Sequence, residues 1–228
     1  MDANQQTRAN PFGMDENCRN CPALCETRTE VVHGYGDVGA DFLFVLEGPS
    51  PGADATGIPL AESATRRSED CSSGDESLED DEFGSSLRRI LERLALCDAT
   101  SDPDRPELHN VYVTHLTRCR DPDREPTDEE IGNCEPYLNA EIRMINPEVI
   151  VPVGERALRE IGEEYTTTPV ADLDCESHHG ESIRGRGFEL VPMIDPTAQS
   201  DAERRAWLEA FAQLMATDYR QTKGRQER

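Results

Sequence analysis

Residues 111–134 read VYVTHLTRCRDPDREPTDEEIGNC, and their pattern decides how the chain folds. The stretch opens on β-branched and aromatic residues, the composition of a strand at about 110–116. It then breaks into Cys119, Arg120 and a Pro-rich loop that carries Arg124 and Pro126. Thr127, with Glu130 three residues on, has the form of a capping box, so a helix is expected over about 127–145. That helix carries Tyr137, Leu138, Ile142 and Ile145 inward, and Pro147 ends it. Cys119 at the strand end and Cys134 two turns into the helix look like two ligands of one metal site.

The same strand–loop–helix rhythm extends outward. DFLFVL (41–46) is a continuous apolar run, the pattern of a strand buried on both faces, and it ends in the Gly- and Pro-rich loop EGPSPGADATGIP (47–59). An amphipathic helix is expected over about 85–97, with Leu87, Ile90, Leu91, Leu94 and Leu96 on its stripe. EVIVPV (148–153) reads as a third strand with an awkward Pro152, and Gly154 opens a short helix through about Ile161. FELVPMI (188–194) is the fourth strand, ending in Asp195-Pro196-Thr197, and a last helix spans about 198–219. Four strands alternating with helices predict an α/β fold, a three-layer α/β/α domain around a four-stranded parallel sheet. The loops 47–59, 115–126 and 195–197 all follow strands, so they gather at one sheet edge, where such folds place ligand chemistry. Glu47, first after its strand, is the leading candidate catalytic carboxylate and Asp54 the second, against a solvated loop acid as the plain alternative.

Composition limits the class. At 36% hydrophobic and 5% aromatic residues, the core of this 228-residue chain must come from those few apolar segments. No apolar run is long enough to span a membrane and the polar start MDANQQTRAN has no signal-like core, so a cytoplasmic protein without membrane partners is expected. Net charge is −24, and Lys223 is the only lysine. That combination is expected of a halophilic, haloarchaeal proteome, where surface carboxylate keeps proteins hydrated in molar salt. At such salt the Debye length is about 3 Å, so net charge does not exclude nucleic acid and local arginine placement matters more. Residues 1–17 read as a flexible lead-in, 18–219 as the folded domain, 62–84 as an acidic insert carrying Cys71, and 220–228 as a disordered tail.

Eight cysteines in a cytosolic chain favour metal ligation over disulfides. Cys18 and Cys21 in CRNCPALCETR have the C-x2-C spacing that brings two thiolates round one turn, and Cys25 is also within reach. Cys175 with His178 and His179 lacks a fourth ligand and reads as a loop, and Cys97 reads as core.

Taken in order, CRNCPALCETR, VLEGPSPGADATGIP, the 111–138 segment, PEVIVPVGERAL and IDPT resemble the iron–sulfur (family 4) uracil-DNA glycosylases and their superfamily. The likeness covers about 18–60 and 85–215, and the segment from Cys119 to Cys134 is its most specific part. It implies a [4Fe–4S] cluster on Cys18, Cys21, Cys119 and Cys134, leaving Cys25 out, with a structural Zn on the same sulfurs as runner-up. It implies a DNA-repair glycosylase acting on uracil or another damaged base, working through Glu47 with Asp54, His115 and Asp195. Pro49, Leu60, Arg120, Arg124 and Thr197 would contact a lesion-containing or single-stranded DNA, bound by a monomer.

The pocket departs from that family. Leu46 and Ser50 stand for two glycines, Ala53 for a glutamate, Leu60 for the Phe that stacks on the base, His115 for an Asn, and Asp195-Pro196-Thr197 for His-Pro-Ser. Leu60 lacks an aromatic face, and Asp195 has the wrong sign for a developing uracil anion. The alternative expectation is therefore a catalytically altered, DNA-binding iron–sulfur member that uses Arg120, Arg124 and the Arg184–Arg186 loop.

Overall fold

The computed structural model describes residues 8–62 and 82–219. The expected tail, the stretch 63–81 with Cys71 and the first seven residues of the expected lead-in lie outside the described residues. In chain order the elements are β1 (Arg8–Ala9), α1 (Pro22–Thr27), β2 (Tyr35–Gly36), β3 (Phe42–Leu46), α2 (Pro51–Thr56), α3 (Glu82–Arg93) and β4 (Val111–His115). They continue with α4 (Asp128–Ile145), β5 (Val149–Pro152), α5 (Glu155–Tyr165), β6 (Ile183–Arg184), β7 (Glu189–Leu190) and α6 (Asp201–Ala216).

The apolar strands alternate between two cores. Phe42, Phe44, Leu46, Val111, Val113, Val149 and Val151 pack with Leu87, Ile90 and Leu91 of α3 and Trp207 and Phe211 of α6. Leu43, Val45, Tyr112 and Ile150 point the other way, onto Ile131, Leu138 and Ile142 of α4 and Ala157, Leu158 and Ile161 of α5. Because successive side chains take opposite faces, a strand apolar at every position must be covered twice. Helices on both faces of one sheet make the three layers.

The parallel centre runs β4-β3-β5-β7, four strands as the sequence pattern predicts. The whole sheet is larger, with seven strands in the order β1-β2-β4-β3-β5-β7-β6. The three additions are two-residue antiparallel strands at the edges, too short for an alternating pattern to mark them. Residues 8–17, expected to fray, are instead tied down. Arg8–Ala9 pairs with Tyr35–Gly36, and the Asn10 side chain both donates to Met14 O and accepts from Met14 N.

Local chemistry explains the element ends. The Thr127–Glu130 capping box opens α4 as expected, and Ser200 with Glu203 does the same for α6. Pro152 is accommodated because it is the last residue of β5, where its carbonyl still accepts from Met193 N at 2.9 Å. Helix α3 starts at Glu82, earlier than the leucine stripe indicates, and α5 runs one turn further than expected, to Tyr165.

Candidate active site

Glu47 leaves β3 at the carboxyl edge of the sheet, directly beneath the start of α5. Its Oε1 accepts a hydrogen bond from Arg156 N at 3.0 Å, within the first turn of that helix. Gly154 makes the approach possible. Its φ is +91°, and a Cβ there would lie 2.6 Å from Glu47 Oε1. Burial pushes the Glu47 carboxyl above its ordinary range, the Arg156 N–H pulls it back, and the charges of Glu125 and Asp195 push it up again. It is a partly desolvated base at a helix N-terminus, the situation in which a carboxylate is tuned for proton transfer.

Around it lies a cleft of ≈ 470 Å³ formed by the 47–51, 117–126 and 195 segments. Glu47, Pro49, Arg120, Arg124 and Asp195 all line it. Asp195 is half-buried and turned by its own loop, because Oδ1 accepts from both Thr197 N (2.7 Å) and Thr197 Oγ1 (2.6 Å). Arg124 is held by Glu130 at 2.7 and 2.8 Å and by Asp121 at 3.0 Å, which pulls the Glu130 carboxyl down to about 2. Among the described residues the guanidinium of Arg120 makes no ion pair, so it remains available to a ligand.

Four residues expected at the substrate sit elsewhere. Asp54 is a buried residue of α2, and both its oxygens accept from Thr29 N at 3.1 Å, so it fastens the loop after α1 rather than facing the cleft. Leu60 is 2% exposed and belongs to the α3/α6 core, with a φ of +67° that turns it inward. His115, the last residue of β4, is also enclosed, and burial with the nearby Arg118 charge pulls it down to about 3. It is a neutral core imidazole. Thr197 is exposed and uses its hydroxyl on Asp195.

The Arg184–Arg186 loop is also displaced. It joins β6 to the start of β7, whose Glu189 pairs with Val149 at the beginning of β5, so it lies at the opposite edge of the sheet from the cleft. Cys175 N donates to Glu155 Oε2, and His179 bridges Ile194 N and Glu203 O. Both are loop-fastening contacts.

Phe83 is the cleft-lining residue that the sequence conceals. It falls in the stretch read as acidic insert, but the first turn of α3 brings its ring to the cleft, where it is the one aromatic among the lining residues. Gly154 at the β5–α5 junction is the one signal that could have drawn attention to the cradle for Glu47.

The cysteines form the wall behind the 119–126 loop. Cys119 feels the charges of Cys134 and Cys18, Cys134 those of Cys21 and Cys18, and Cys21 those of Cys18 and Cys25. Arg28 Nη1 donates to Cys119 Sγ at 3.0 Å, and Asn133 Nδ2 to Cys21 Sγ at 3.5 Å. Burial holds Cys21 and Cys134 above the ordinary thiol range and pushes Cys119 up to about 11. The sulfurs are neighbours, yet among the described residues no three potential ligands stand close enough to hold an ion as placed. Their donor set suits a thiophilic centre, which would deprotonate them, with Arg28 and Asn133 as second-layer donors to sulfur.

A family model described as the uracil DNA glycosylase superfamily matches residues 33–216, which takes in β3, β4, β5 and the cleft from Glu47 to Asp195. The chain belongs to the uracil-DNA glycosylase superfamily. A type-5 uracil-DNA glycosylase of Pyrobaculum aerophilum is 25% identical over 218 residues, 87% of this chain and 86% of that relative. A type-4 uracil-DNA glycosylase of Thermotoga maritima is 32% identical over 142 residues, 62% of this chain and 58% of that protein. One from Archaeoglobus fulgidus is 30% identical over 155 residues, 66% and 63% of the two chains. This superfamily member thus spans less than two thirds of the length of those two type-4 relatives. No helix among its described residues is long and apolar enough to cross a membrane.

Proposed function

We propose that this superfamily member is a DNA-repair N-glycosylase that hydrolyses the bond between a damaged base and deoxyribose. The observation that carries the reading is Glu47, the carboxylate held by Arg156 N–H over a cleft that a flipped nucleotide can enter. Glu47 orients a water and takes its proton as the water attacks C1′. Arg120 is the group available for a backbone phosphate at the rim. The placement of Glu47 supports catalysis over the binding-only alternative. Asp54, His115, Leu60 and Thr197 act through the scaffold, by the contacts described above.

Cys18, Cys21, Cys119 and Cys134 are the residues that would hold a [4Fe–4S] cluster, with Cys25 outside the set. When bound, it cross-links the N-terminal segment to the β4–α4 loop. Arg28 and Asn133 donate to the sulfurs of Cys119 and Cys21, contacts that a ligated thiolate would accept, and this supports a bound centre. Anaerobically purified protein is expected to be brown, with broad absorption near ~400 nm. Colourless protein with stoichiometric zinc would refute the cluster. The functional unit is residues 8–219, a monomer acting on DNA in a salt-rich cytoplasm.

The test is base release in molar KCl from single- and double-stranded DNA carrying uracil, hypoxanthine or alkylated bases, with alkali revealing abasic sites. Absence of strand scission with every substrate would sink the glycosylase reading. Glu47→Gln should abolish release without altering the fold.

A further inference from the structure

The cleft that holds Glu47 carries further carboxylates. Glu47, Glu125 and Asp195 line one volume, and the charges of the latter two reach Glu47. Opposing them are Arg120 and Arg124, but Arg124 is already engaged by Glu130 and Asp121. Phe83, half-buried against the α3/α6 core, is the aromatic residue that lines the same space.

This lining disfavours one class of leaving group and favours another. When a neutral base departs, the bonding pair of the N-glycosidic bond leaves it as an anion, which needs donors or cations close by. Carboxylates around the base raise that barrier. An N-alkylated purine in DNA, such as 7-methylguanine or 3-methyladenine, carries a formal positive charge before the bond breaks. It takes the bonding pair and leaves neutral. Carboxylates attract such a base, and an aromatic face binds it by stacking and by cation–π attraction.

We infer that the base received by this cleft is a cationic, N-alkylated purine, held between Phe83 and the carboxylates of Asp195 and Glu125. The inference rests on the glycosylase reading above and specifies its substrate class. In the reaction water adds to C1′, its proton passes to Glu47, and the glycosidic electron pair neutralises the purine ring. The products are a neutral alkylated base and an abasic deoxyribose, and no co-reactant is required. Asp195 is a specificity residue here, and Phe83 is the platform that replaces an aromatic residue at position 60.

The experiment uses the full chain with oligonucleotides that differ at one nucleotide: 7-methylguanine, hypoxanthine or uracil. Base release is measured under single turnover and compared with spontaneous loss from the same DNA. Release of 7-methylguanine is expected to exceed both its spontaneous rate and uracil release by about tenfold or more, the factor that ~1.4 kcal/mol of cation binding provides. Asp195→Asn keeps the acceptor oxygen for Thr197 but removes the charge. It should slow 7-methylguanine release by about tenfold and shift the ratio of uracil to 7-methylguanine release toward uracil by at least that factor. Phe83→Leu fills the same apolar space without an aromatic face and should slow release, whereas Phe83→Trp should retain it. A 2′-fluoro-7-methylguanine nucleotide, whose glycosidic bond resists cleavage, should bind more tightly than its guanine counterpart by fluorescence anisotropy. Uracil or hypoxanthine released in preference to 7-methylguanine overturns the inference and leaves the glycosylase reading standing, as does 7-methylguanine release indifferent to Asp195→Asn. No release of any base overturns both.

Discussion

Glu141 is buried and Glu47 half-buried, and the surroundings of the two glutamates could hardly differ more. Glu141, 1% exposed on α4, accepts from Gly34 N at 3.0 Å, Tyr112 OH at 3.2 Å, the Thr114 hydroxyl and Arg118 Nη2 at 2.6 Å. Arg118 also donates to Thr114 Oγ1 and to the His115 carbonyl. Glu47 has one backbone donor and two carboxylates nearby. A buried charge that is fully paired belongs to the scaffold, and one left short of partners holds reactivity in reserve. A single residue, Cys119, separates Arg118, locked into the first arrangement, from Arg120, which lines the cleft.

The contrast can be broken most forcefully at Arg118. Arg118→Leu strands Glu141 and should destabilise the protein by about 3–5 kcal/mol in denaturant titration. Retained stability would show that the network is not the clamp described. At the other pole, Glu47→Gln should reduce base release by about 10²–10⁴-fold. Its effect on stability has the opposite sign. The folded-state pKa of Glu47 is raised, so ionising it disfavours the fold as pH rises through that pKa, and the Gln variant should match or exceed wild-type stability at pH 7. Activity should likewise climb with pH along a limb above the usual carboxylate range.

A third test uses acid. His33, His115 and His179 are lowered by burial, His115 to about 3. Their contribution is intact above the ordinary imidazole value of about 6.5 and is lost as pH falls from there toward the folded values, at most ~1.4 kcal/mol per pH unit for each group. Replacing His115 with Gln should flatten that slope, measured as melting temperature between pH 6.5 and about 4. Asp54→Asn should cost less, about 1–2 kcal/mol, because a neutral amide oxygen still accepts from Thr29 N. It should leave the rate of release untouched if Asp54 is scaffold. The smallest effect belongs to Arg120→Ala, expected to weaken DNA binding alike for all sequences and to reduce the salt slope by about 1.

The architecture was largely legible because its signals are local. Phe42–Leu46 is apolar at every position and Thr127 and Glu130 spell a cap, although the Gly- and Pro-rich 47–59 stretch, expected as loop, holds the short helix α2 behind a Ser50 cap. Two-residue edge strands have no period to read, which is why three of them went unseen. The site was only half legible for a related reason. Proximity to a strand end places Glu47, Arg120 and Asp195 at one edge, but the direction of a side chain depends on loop geometry. Asp54 and Leu60 follow the same strand as Glu47, yet α2 and a left-handed turn rotate them away from the cleft. Phe83 failed the opposite way: its acidic, serine-rich surroundings hid a helix that begins three residues early.

Glu47 and Gly154 also bear on how this site can change over time. A side chain at 154 and the carboxylate at 47 would compete for one volume, 2.6 Å apart. A larger residue at 154 would displace the glutamate from its seat at the helix start and would also bear the strain of a φ of +91°. The glycine therefore answers to the backbone turn as well as to the carboxylate. A side chain at 154 in a related chain marks a carboxylate moved from the helix start, whereas a glycine there marks the turn alone.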